Sequence, residues 1–175
     1  MTLQEFYEER KKMKDNGIIE FIYGIIYKFT SPKTIHQIIN KNITFSLESK
    51  YRKSKCQVFY APMDVQLGNN VTQPDIFIIC DESKITEEKI IGAPDLVVEI
   101  ISPSTAKLDF HKKLTLYEEF KVPEYWIVFP KEELILKYQF DDSKNKYLEP
   151  VEYFNKDDFI KYKDLEIKIE DIFNL

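Results

Sequence analysis

The sequence lacks the features that direct a chain into a membrane or out of the cell. Its charged N-terminal segment has no apolar core of the kind found in secretion signals, and no apolar stretch approaches the length of a membrane span. Cysteine is scarce as well, with Cys56 and Cys80 the only two. Without a secretion signal, we expect two buried, reduced thiols and not a disulfide. Together these absences predict a cytoplasmic protein in a reducing compartment, without membrane contact.

An excess of positive charge is also missing, because 30 acidic residues outnumber 25 Lys and Arg residues and give a formal net charge of -5. A protein whose whole surface binds nucleic acid is usually basic. Contact with nucleic acid would therefore have to be local. The Lys-rich segment 50–55 is one candidate patch, but a solvated helix end is the commoner explanation of such a run.

What the sequence does contain is enough apolar material for a folded core. The 175 residues fit one domain, and with 43% hydrophobic and 31% charged residues the balance is ordinary for a globular protein. The aromatic residues, 14% of the chain, are mostly Phe and Tyr in apolar runs, which indicates core and strand positions. No internal repeat or linker divides the chain, so we expect a single domain over residues 1–175.

The order of apolar patterns predicts an α/β chain. Helices are expected over residues 3–16, capped by Thr2 and ended at Asn16-Gly17, and over 33–54 and 105–120. Gly24 divides residues 18–29 into two paired strands. Further strands are expected over residues 57–67 with an interruption at Pro62, and over 75–80, 95–102, 124–129, 133–140, 146–154 and 165–169. The third helix connects two buried strands, so this βαβ unit should have parallel strands.

Glu99 is the first residue that the core pattern does not explain. It lies within the apolar run 96–101, with Val97 and Ile101 on its own side of the strand. Burying an ionised carboxylate without a partner is costly. The carboxylate must therefore meet a metal ion, a Lys or Arg side chain, or solvent on that side of the strand, and the flanking Val97 and Ile101 favour burial.

Two further acidic residues interrupt strand patterns. Asp75 follows Pro74 and opens a neighbouring strand, where capping of a turn is a common role for Asp. Paired with Glu99, however, Asp75 could supply a second carboxylate to one hard cation. Glu20 interrupts an early apolar run, and it is either a third acidic contributor or a solvent-facing strand residue.

Lys113 can be placed by helical geometry. At about 100° per residue, it falls on the broad apolar face that also holds Tyr117, whereas Lys112 points toward polar residues. A Lys on the apolar face is directed toward the sheet and so toward Glu99. The alternative is an ion pair with Asp109 on the helix surface, worth about 0.2–0.5 kcal/mol. The pattern leaves both explanations open.

Other polar residues have ordinary explanations. Ser104 or Thr105 can cap the helix that follows the Glu99 strand, although free N–H groups at that position could attract a phosphate. His36 and His111 have no evident partner in the sequence. We interpret both as ordinary helix residues.

Taken together, the motif residues resemble one family. They are Pro74-Asp75, then Pro94-Asp95-Leu96-Val97-Val98-Glu99-Ile100-Ile101-Ser102-Pro103-Ser104-Thr105, then Asp109, Lys113, Tyr117 and Val122-Pro123-Glu124-Tyr125-Trp126. This pattern is similar to that of the Uma-two family, a group of restriction-endonuclease-like proteins in the PD-(D/E)xK nuclease superfamily. The resemblance covers residues 20–129, and the stretch 99–126 is its most specific part.

The resemblance implies a restriction-endonuclease-like fold, in which a mixed β-sheet is flanked by helices. It also implies a metal centre in which Asp75, Glu99 and the backbone carbonyl of Ile100 hold Mg²⁺ or Mn²⁺. The superfamily's usual Lys stands two residues after the Glu, and here that position is Ile101. The family supplies a Lys from the following helix instead, at the position of Lys113.

The function implied by the resemblance is metal-dependent hydrolysis of phosphodiester bonds, with DNA as the expected substrate. Lys113 would orient water or offset negative charge, and Glu20, which matches an acidic position of the family, would bind a second ion or its water shell. A homodimer is expected by analogy, because cutting both strands needs two sites. The alternative is a catalytically inactive module for binding or assembly, which Ile101 and the negative net charge favour. No base-reading motif decides between DNA, RNA and nucleotides.

Overall fold

The structure, a computed structural model, describes residues 1–13, 17–102 and 106–174, with the backbone alone described at residues 106–110. The helices are α1 (Leu3–Lys12), α2 (Thr34–Tyr51), α3 (Ala106–Glu119) and α4 (Ile169–Phe173). The strands are β1 (Ile18–Ile22), β2 (Ile25–Phe29), β3 (Gln57–Tyr60), β4 (Val65–Leu67), β5 (Asn70–Thr72), β6 (Ile76–Ile79), β7 (Ile90–Ile91), β8 (Leu96–Ile100), β9 (Glu124–Phe129), β10 (Leu134–Asp141), β11 (Lys146–Tyr147), β12 (Val151–Tyr153), β13 (Phe159–Tyr162) and β14 (Leu165–Lys168).

The largest sheet is mixed and has the order β11-β10-β9-β8-β6-β3, with β12 also paired to β10. β8 and β9 are parallel, whereas the other pairs described in this sheet are antiparallel. Because α3 connects β8 to β9 in the chain, the predicted βαβ unit with parallel strands is confirmed. β8 lies in the interior of the sheet, with Glu99 one residue before its end.

The two faces of β8 pack against different helices. Val98 belongs to a buried cluster with Ile39 of α2. Val97 belongs to a second buried cluster with Tyr117 of α3. Because successive side chains of a strand point to opposite faces, Glu99 shares the face of Val97 and is directed toward α3.

A second sheet, in the order β2-β1-β5-β4-β7, brings another acidic residue to the same helix. Phe21 of β1 stacks on Phe6 of α1, with ring centroids 4.9 Å apart. Ile22, on the opposite face of β1, joins the buried cluster that contains residues of α3. Glu20 shares the Ile22 face because side chains alternate along the strand. Glu20 and Glu99 therefore approach α3 from two different sheets.

The hairpin of β13 and β14, together with α4, covers the α2 side of the largest sheet. Ile160 and Ile167 of this hairpin belong to the buried cluster that contains α2. A buried ion pair lies beside it, in which Lys137 Nζ of β10 is 3.0 Å from Glu124 Oε1 of β9. The Lys137 ammonium also donates to the main-chain carbonyl of Lys161 on β13. The hairpin is thus attached to the sheet by both apolar and charged contacts.

Most of the predicted elements are confirmed. Thr2 and Glu5 form a capping box at the start of α1, residues 18–29 form an antiparallel hairpin around Gly24, and β9 covers the predicted residues 124–129. The mixed sheet with flanking helices is also as predicted. α1 ends at Lys12, earlier than predicted, and residues 14–16 lie outside the described residues. The predicted caps Ser104 and Thr105 lie outside them as well.

The errors of the prediction concern short strands. β5 begins at Asn70, between the predicted strands 57–67 and 75–80, and residues 146–154 form β11 and β12 on either side of Pro150 instead of one strand. β7, β13 and the short helix α4 have no counterpart among the predicted elements. Strands of two to four residues are too short to show a periodic pattern, so their positions depend on pairing with neighbouring strands.

The prediction of two reduced thiols is wrong, because Cys56 and Cys80 form a disulfide with an S–S distance of 2.04 Å. Cys56 directly precedes β3 and Cys80 directly follows β6, and the register Gln57↔Ile79 places the two cysteines opposite each other. This antiparallel pairing is a tertiary feature that cysteine spacing does not reveal. Reduced cysteines can therefore no longer be used as an argument for a reducing compartment. Separately, no helix in the described ranges is both long and apolar enough to cross a membrane.

Candidate active site

The four residues singled out as catalytic in the sequence line one cavity of about 120 Å³. Glu20 comes from β1, Asp75 from the residue before β6, Glu99 from β8 and Lys113 from α3. These elements belong to both large sheets and the helix between β8 and β9. All four residues are buried, so the solvent-facing explanations of Glu20 and Glu99 do not hold in the structure.

Lys113 bridges two of the carboxylates. Its Nζ lies 2.9 Å from Glu20 Oε1 and 3.0 Å from Glu99 Oε1, and the residue is only 7% exposed. Burial alone would lower the pKa of Lys113, but the two adjacent carboxylates raise this pKa above its ordinary value. The ammonium is therefore held in its charged form. The side chain of Asp109, the alternative partner, lies outside the described side chains.

Glu99 is 6% exposed and accepts two hydrogen bonds on Oε1, from Lys113 at 3.0 Å and from the Tyr117 hydroxyl at 2.9 Å. Burial raises the pKa of Glu99 to about 8, and the negative charges of Asp75 and Glu20 add to this effect while Lys113 opposes it. Tyr117 is itself fully buried, and burial together with the Glu99 charge raises the pKa of its hydroxyl. The hydroxyl therefore acts as a hydrogen-bond donor.

Asp75 is held from two directions. Its Oδ2 accepts a hydrogen bond of 2.7 Å from the backbone N–H of Ile100, and it lies 3.2 Å from His36 Nε2. Asn40, one turn after His36 on α2, donates to the main-chain carbonyl of Asp75 at 3.2 Å. The backbone of Ile100 therefore lies against the Asp75 carboxylate. The role of the Ile100 carbonyl as a metal ligand stays a prediction.

Glu20 is fully buried, and its two carboxylate oxygens differ. Oε1 accepts a hydrogen bond of 2.8 Å from the backbone N–H of Gln73 and contacts Lys113. Oε2 is buried and has no hydrogen-bond partner among the described residues. An unsatisfied carboxylate oxygen in a buried position is costly unless a donor or a cation reaches it.

Two residues of this site, His36 and Tyr117, are missing from the residues predicted as catalytic or metal-binding. Each looks like an ordinary helix residue in the sequence, and each reaches a carboxylate from a different element. The available signal is helical spacing, because Tyr117 stands four residues after Lys113 and Asn40 stands four residues after His36. Ile101, at the position where the superfamily usually has Lys, also lines the cavity.

The Lys-rich segment 50–55 lies outside this group of residues. It covers the end of α2, where Lys50 Nζ pairs with Asp164 Oδ2 at 2.7 Å, and Arg52, Lys53 and Lys55 are exposed. None of these residues lines the cavity. The segment fits the description of a solvated helix end.

The residues present fit an open divalent-metal site. With all three acidic groups ionised, the carboxylates and the one ammonium leave two formal negative charges in the cavity, and the unsatisfied Glu20 oxygen adds a ligand atom of the type that hard cations prefer. Within the described ranges, no group of three or more His, Cys, Asp or Glu side chains is arranged to hold a metal ion by itself. Mg²⁺ is usually bound through one or two carboxylates together with water and substrate phosphate, so it does not require such a group.

Comparison with known proteins shows which family this sequence belongs to. The sequence matches the family described as "Uma2: Putative restriction endonuclease" over residues 3–170, nearly the whole chain. The chain belongs to the Uma2 family. This confirms the resemblance to the Uma-two proteins that the motif residues indicate.

A solved structure confirms the fold of this Uma2 protein. The crystal structure of "a putative nuclease belonging to DUF820" from Anabaena variabilis ATCC 29413 matches with a TM-score of 0.82 at 22% sequence identity, covering 99% of this chain and 98% of that one. The Uma2 chain therefore has the restriction-endonuclease-like fold.

Two relatives from Synechocystis sp. PCC 6803 are uncharacterized. The protein slr1290 is 29% identical over 113 residues, which cover 63% of this chain and 57% of slr1290. The protein sll1609 is 23% identical over 133 residues, which cover 73% of this chain and 74% of sll1609. The Uma2 chain thus spans little more than half of the length of slr1290.

Proposed function

We propose that this Uma2 protein is a divalent-metal-dependent nuclease that hydrolyses phosphodiester bonds in DNA. The observation that carries the proposal is the convergence of Glu20, Asp75, Glu99 and Lys113 in one cavity, with the Lys113 ammonium within 3.0 Å of two carboxylates. Membership of a family described as "Putative restriction endonuclease" supports the same activity.

The metal ligands in this proposal are the carboxylates of Asp75 and Glu99 and the backbone carbonyl of Ile100. The hydrogen bond from the Ile100 N–H to Asp75 Oδ2 supports this set, because it holds the Ile100 backbone against the Asp75 carboxylate. A bound Mg²⁺ or Mn²⁺ would supply Lewis acidity at this position. Asp75 and Glu99 bind and orient the cation, and their burial excludes bulk water from it.

Lys113 takes the role of the lysine that the superfamily usually has at the position of Ile101. It lies on α3, yet its ammonium reaches Glu99, which stands two residues before the usual lysine position of the superfamily. A fixed positive charge beside the metal ligands stabilises the negative charge that develops on a phosphate during hydrolysis. Lys113 thus needs to be positioned in advance, and Glu20 provides this by holding Nζ from the opposite sheet.

Glu20 has a second role in the proposal. Its Oε1 fixes Lys113, while its buried Oε2 has no hydrogen-bond partner in the described part of the chain. That oxygen is suited to a water of the metal's hydration shell, or to a second cation, because both provide the missing positive partner.

The proposed partners follow from the family and from the requirements of DNA cleavage. DNA is the proposed substrate because the family description names restriction endonucleases. A homodimer is proposed because the cutting of both strands requires two sites, and this argument is by analogy. The cytoplasmic location stays a prediction, since the disulfide removes its cysteine argument.

One observation favours a second function, that of an inactive nuclease fold used for binding or assembly. Lys113 already pairs with both Glu20 and Glu99, and Tyr117 donates to Glu99, so these contacts could serve the fold alone. In that case Glu20, Glu99 and Lys113 form a structural ion-pair network across the two sheets. The absence of specific Mg²⁺ or Mn²⁺ binding, even with DNA present, would favour this function.

The test is a cleavage assay on plasmid and single-stranded DNA with Mn²⁺. We expect wild type to cut, and Glu99→Ala and Lys113→Ala to lose cutting while remaining folded by circular dichroism. Lys41→Ala on the exposed surface of α2 removes the same charge away from the cavity and should cut like wild type. Cutting by purified Glu99→Ala at the wild-type rate would refute the assignment.

A further inference from the structure

One face of α2 holds Asp75 through two side chains. His36 Nε2 lies 3.2 Å from Asp75 Oδ2, and Asn40 Nδ2 donates to the Asp75 carbonyl at 3.2 Å. Side chains four residues apart on a helix project from the same face. Helix α2 therefore contacts both the side chain and the main chain of Asp75. The Ile100 N–H adds a contact of 2.7 Å to the same Oδ2.

The His36 ring makes its polar contact with Asp75 at a cost. The ring nitrogen that faces the carboxylate is Nε2, 3.2 Å from Asp75 Oδ2, and the carboxylate attracts this nitrogen when it carries a proton. The other ring nitrogen, Nδ1, is buried and has no hydrogen-bond partner among the described residues. A buried polar atom without a partner destabilises a fold. Ile39 and Ile43, farther along the same helix, are fully buried without such a penalty.

The position of His36 also links it to the cavity. Its side chain is 12% exposed and lines the cavity together with Asp75 and Glu99. A residue needed only to fill the core at this place would be apolar, like its neighbours on the buried stripe of α2. The contact of His36 with one oxygen of Asp75 indicates that the histidine serves to orient this carboxylate.

We propose that His36 is a positioning residue of the metal centre, which fixes the Asp75 carboxylate for cation binding. This inference rests on the proposed function. With Oδ2 held by the Ile100 N–H and by His36, the carboxylate cannot rotate freely, and its remaining lone pairs are left for the metal. Groups outside the coordination shell that contact and orient a metal ligand typically contribute about 10–100-fold to metal affinity.

The test measures Mn²⁺ binding to the full chain by calorimetry. His36→Leu removes the donor while keeping an apolar side chain of similar size, and we expect its affinity to fall about 10–100-fold. His36→Gln places an amide N–H close to the position of Nε2, and we expect it to restore most of the affinity. Gln37→Leu changes the exposed neighbour on the same helix and should bind Mn²⁺ like wild type.

A second variant and a second measurement distinguish weakened metal binding from unfolding of the variant. His36→Asn keeps a polar side chain that is too short to reach Asp75, so it should lose affinity as His36→Leu does. If His36 acts through metal binding, cleavage by both variants should recover toward the wild-type rate at saturating Mn²⁺. A catalytic residue would stay impaired at every Mn²⁺ concentration.

The outcomes separate this inference from the function on which it rests. Wild-type affinity in folded His36→Leu and His36→Asn overturns the positioning role while leaving the nuclease assignment intact. A loss of affinity that His36→Gln does not restore also overturns it, because size and packing then explain the effect. A wild-type chain that neither binds Mn²⁺ nor cuts DNA overturns the proposed function, and the positioning role with it.

Discussion

Tyr117 donates its hydroxyl hydrogen to Glu99 Oε1 over 2.9 Å, and Lys113 contacts the same oxygen at 3.0 Å. Tyr117 and Lys113 are four residues apart on α3, so one helical face supplies both donors. Glu99 belongs to β8, and its carboxylate is therefore oriented by the helix that follows its own strand. The βαβ connection brings the metal-ligand candidate and its two donors together within one continuous segment of the chain.

Tyr117→Phe tests this relationship. The substitution removes one donor from a buried carboxylate that keeps its contact with Lys113, so we expect the free energy of unfolding to fall by about 1–3 kcal/mol. Denaturant unfolding followed by circular dichroism measures the change. Tyr60→Phe is the matched control, because Tyr60 is 58% exposed and should unfold like wild type. Equal stability of Tyr117→Phe and wild type would show that the hydrogen bond contributes nothing.

The raised pKa of Glu99 predicts a pH dependence of stability. The ordinary value is 4.5, and burial, with the charges of Asp75 and Glu20, raises the pKa to about 8 in the folded protein. Between these two pH values the native state keeps a proton that the unfolded state has released. The free energy of unfolding should therefore decrease as pH rises from about 4.5 to about 8, by an amount on the order of a few kcal/mol.

The quantity to measure is the difference in the free energy of unfolding between wild type and Glu99→Gln, because other groups of the chain titrate in the same pH range. Glu99→Gln keeps the hydrogen-bonding shape of the side chain and cannot ionise. We expect the stability of wild type minus that of Glu99→Gln to fall with rising pH in metal-free buffer. A difference that is flat or rising over this window would mean that Glu99 is ionised throughout.

The sequence reveals the site only where a residue conflicts with its local pattern. Glu99 stands out because a carboxylate interrupts an apolar strand, and Lys113 stands out because a charge lies on an apolar helical face. His36 and Tyr117 conflict with nothing around them, since His and Tyr are unremarkable in a helix. Their partners become visible only when α2 and α3 are packed on the sheet. The sequence could therefore predict the charged centre but not the residues that orient it.

The same reasoning applies to the fold. α2 and α3 are 18 and 14 residues long, and β8 and β9 are near-continuous apolar runs, so each was predictable from its local sequence. The Cys56–Cys80 disulfide depends on the pairing of β3 with β6, and that pairing is antiparallel between strands separated by β4 and β5. No local pattern encodes this register. Features that depend on which strands become neighbours are the ones that sequence inspection misses.

A third prediction concerns the buried ion pair away from the site. Lys137 lies 3.0 Å from Glu124, which also accepts a hydrogen bond of 2.6 Å from Trp126. Lys137→Met leaves the Glu124 carboxylate buried without its cation, and removal of one partner of a buried pair typically costs about 3–5 kcal/mol. Thermal or denaturant unfolding gives the value. Lys156→Met, which breaks an exposed pair with Glu133, should cost at most about 1 kcal/mol.

The double variant Lys137→Met with Glu124→Leu shows whether the loss comes from an unpaired charge. Replacing both partners by apolar residues removes the isolated carboxylate, so much of the stability should return. If the double variant is as unstable as Lys137→Met alone, the loss comes instead from other contacts, such as the one between Lys137 and the Lys161 carbonyl of the β13–β14 hairpin.

The last prediction concerns the disulfide and separates stability from function. Cys56 and Cys80 are 24 residues apart, and closing a loop of this length stabilises a fold by about 3 kcal/mol in the chain-entropy account. Reduction, or the double substitution Cys56→Ser with Cys80→Ser, should lower the free energy of unfolding by that amount. The double Ser variant should not respond to a reducing agent. Wild type that shows two free thiols without reductant would contradict the disulfide.

Metal affinity should be unaffected by the same change. Cys80 follows β6 at one end, whereas Asp75 precedes it at the other, so the whole length of the strand separates the disulfide from the proposed metal site. Asp75 is held by Ile100, His36 and Asn40, none of which contacts either cysteine through a described hydrogen bond. Calorimetry with Mn²⁺ on the oxidised and reduced protein should therefore give the same dissociation constant. A difference above about tenfold would mean that pairing of β3 with β6 controls the position of Asp75.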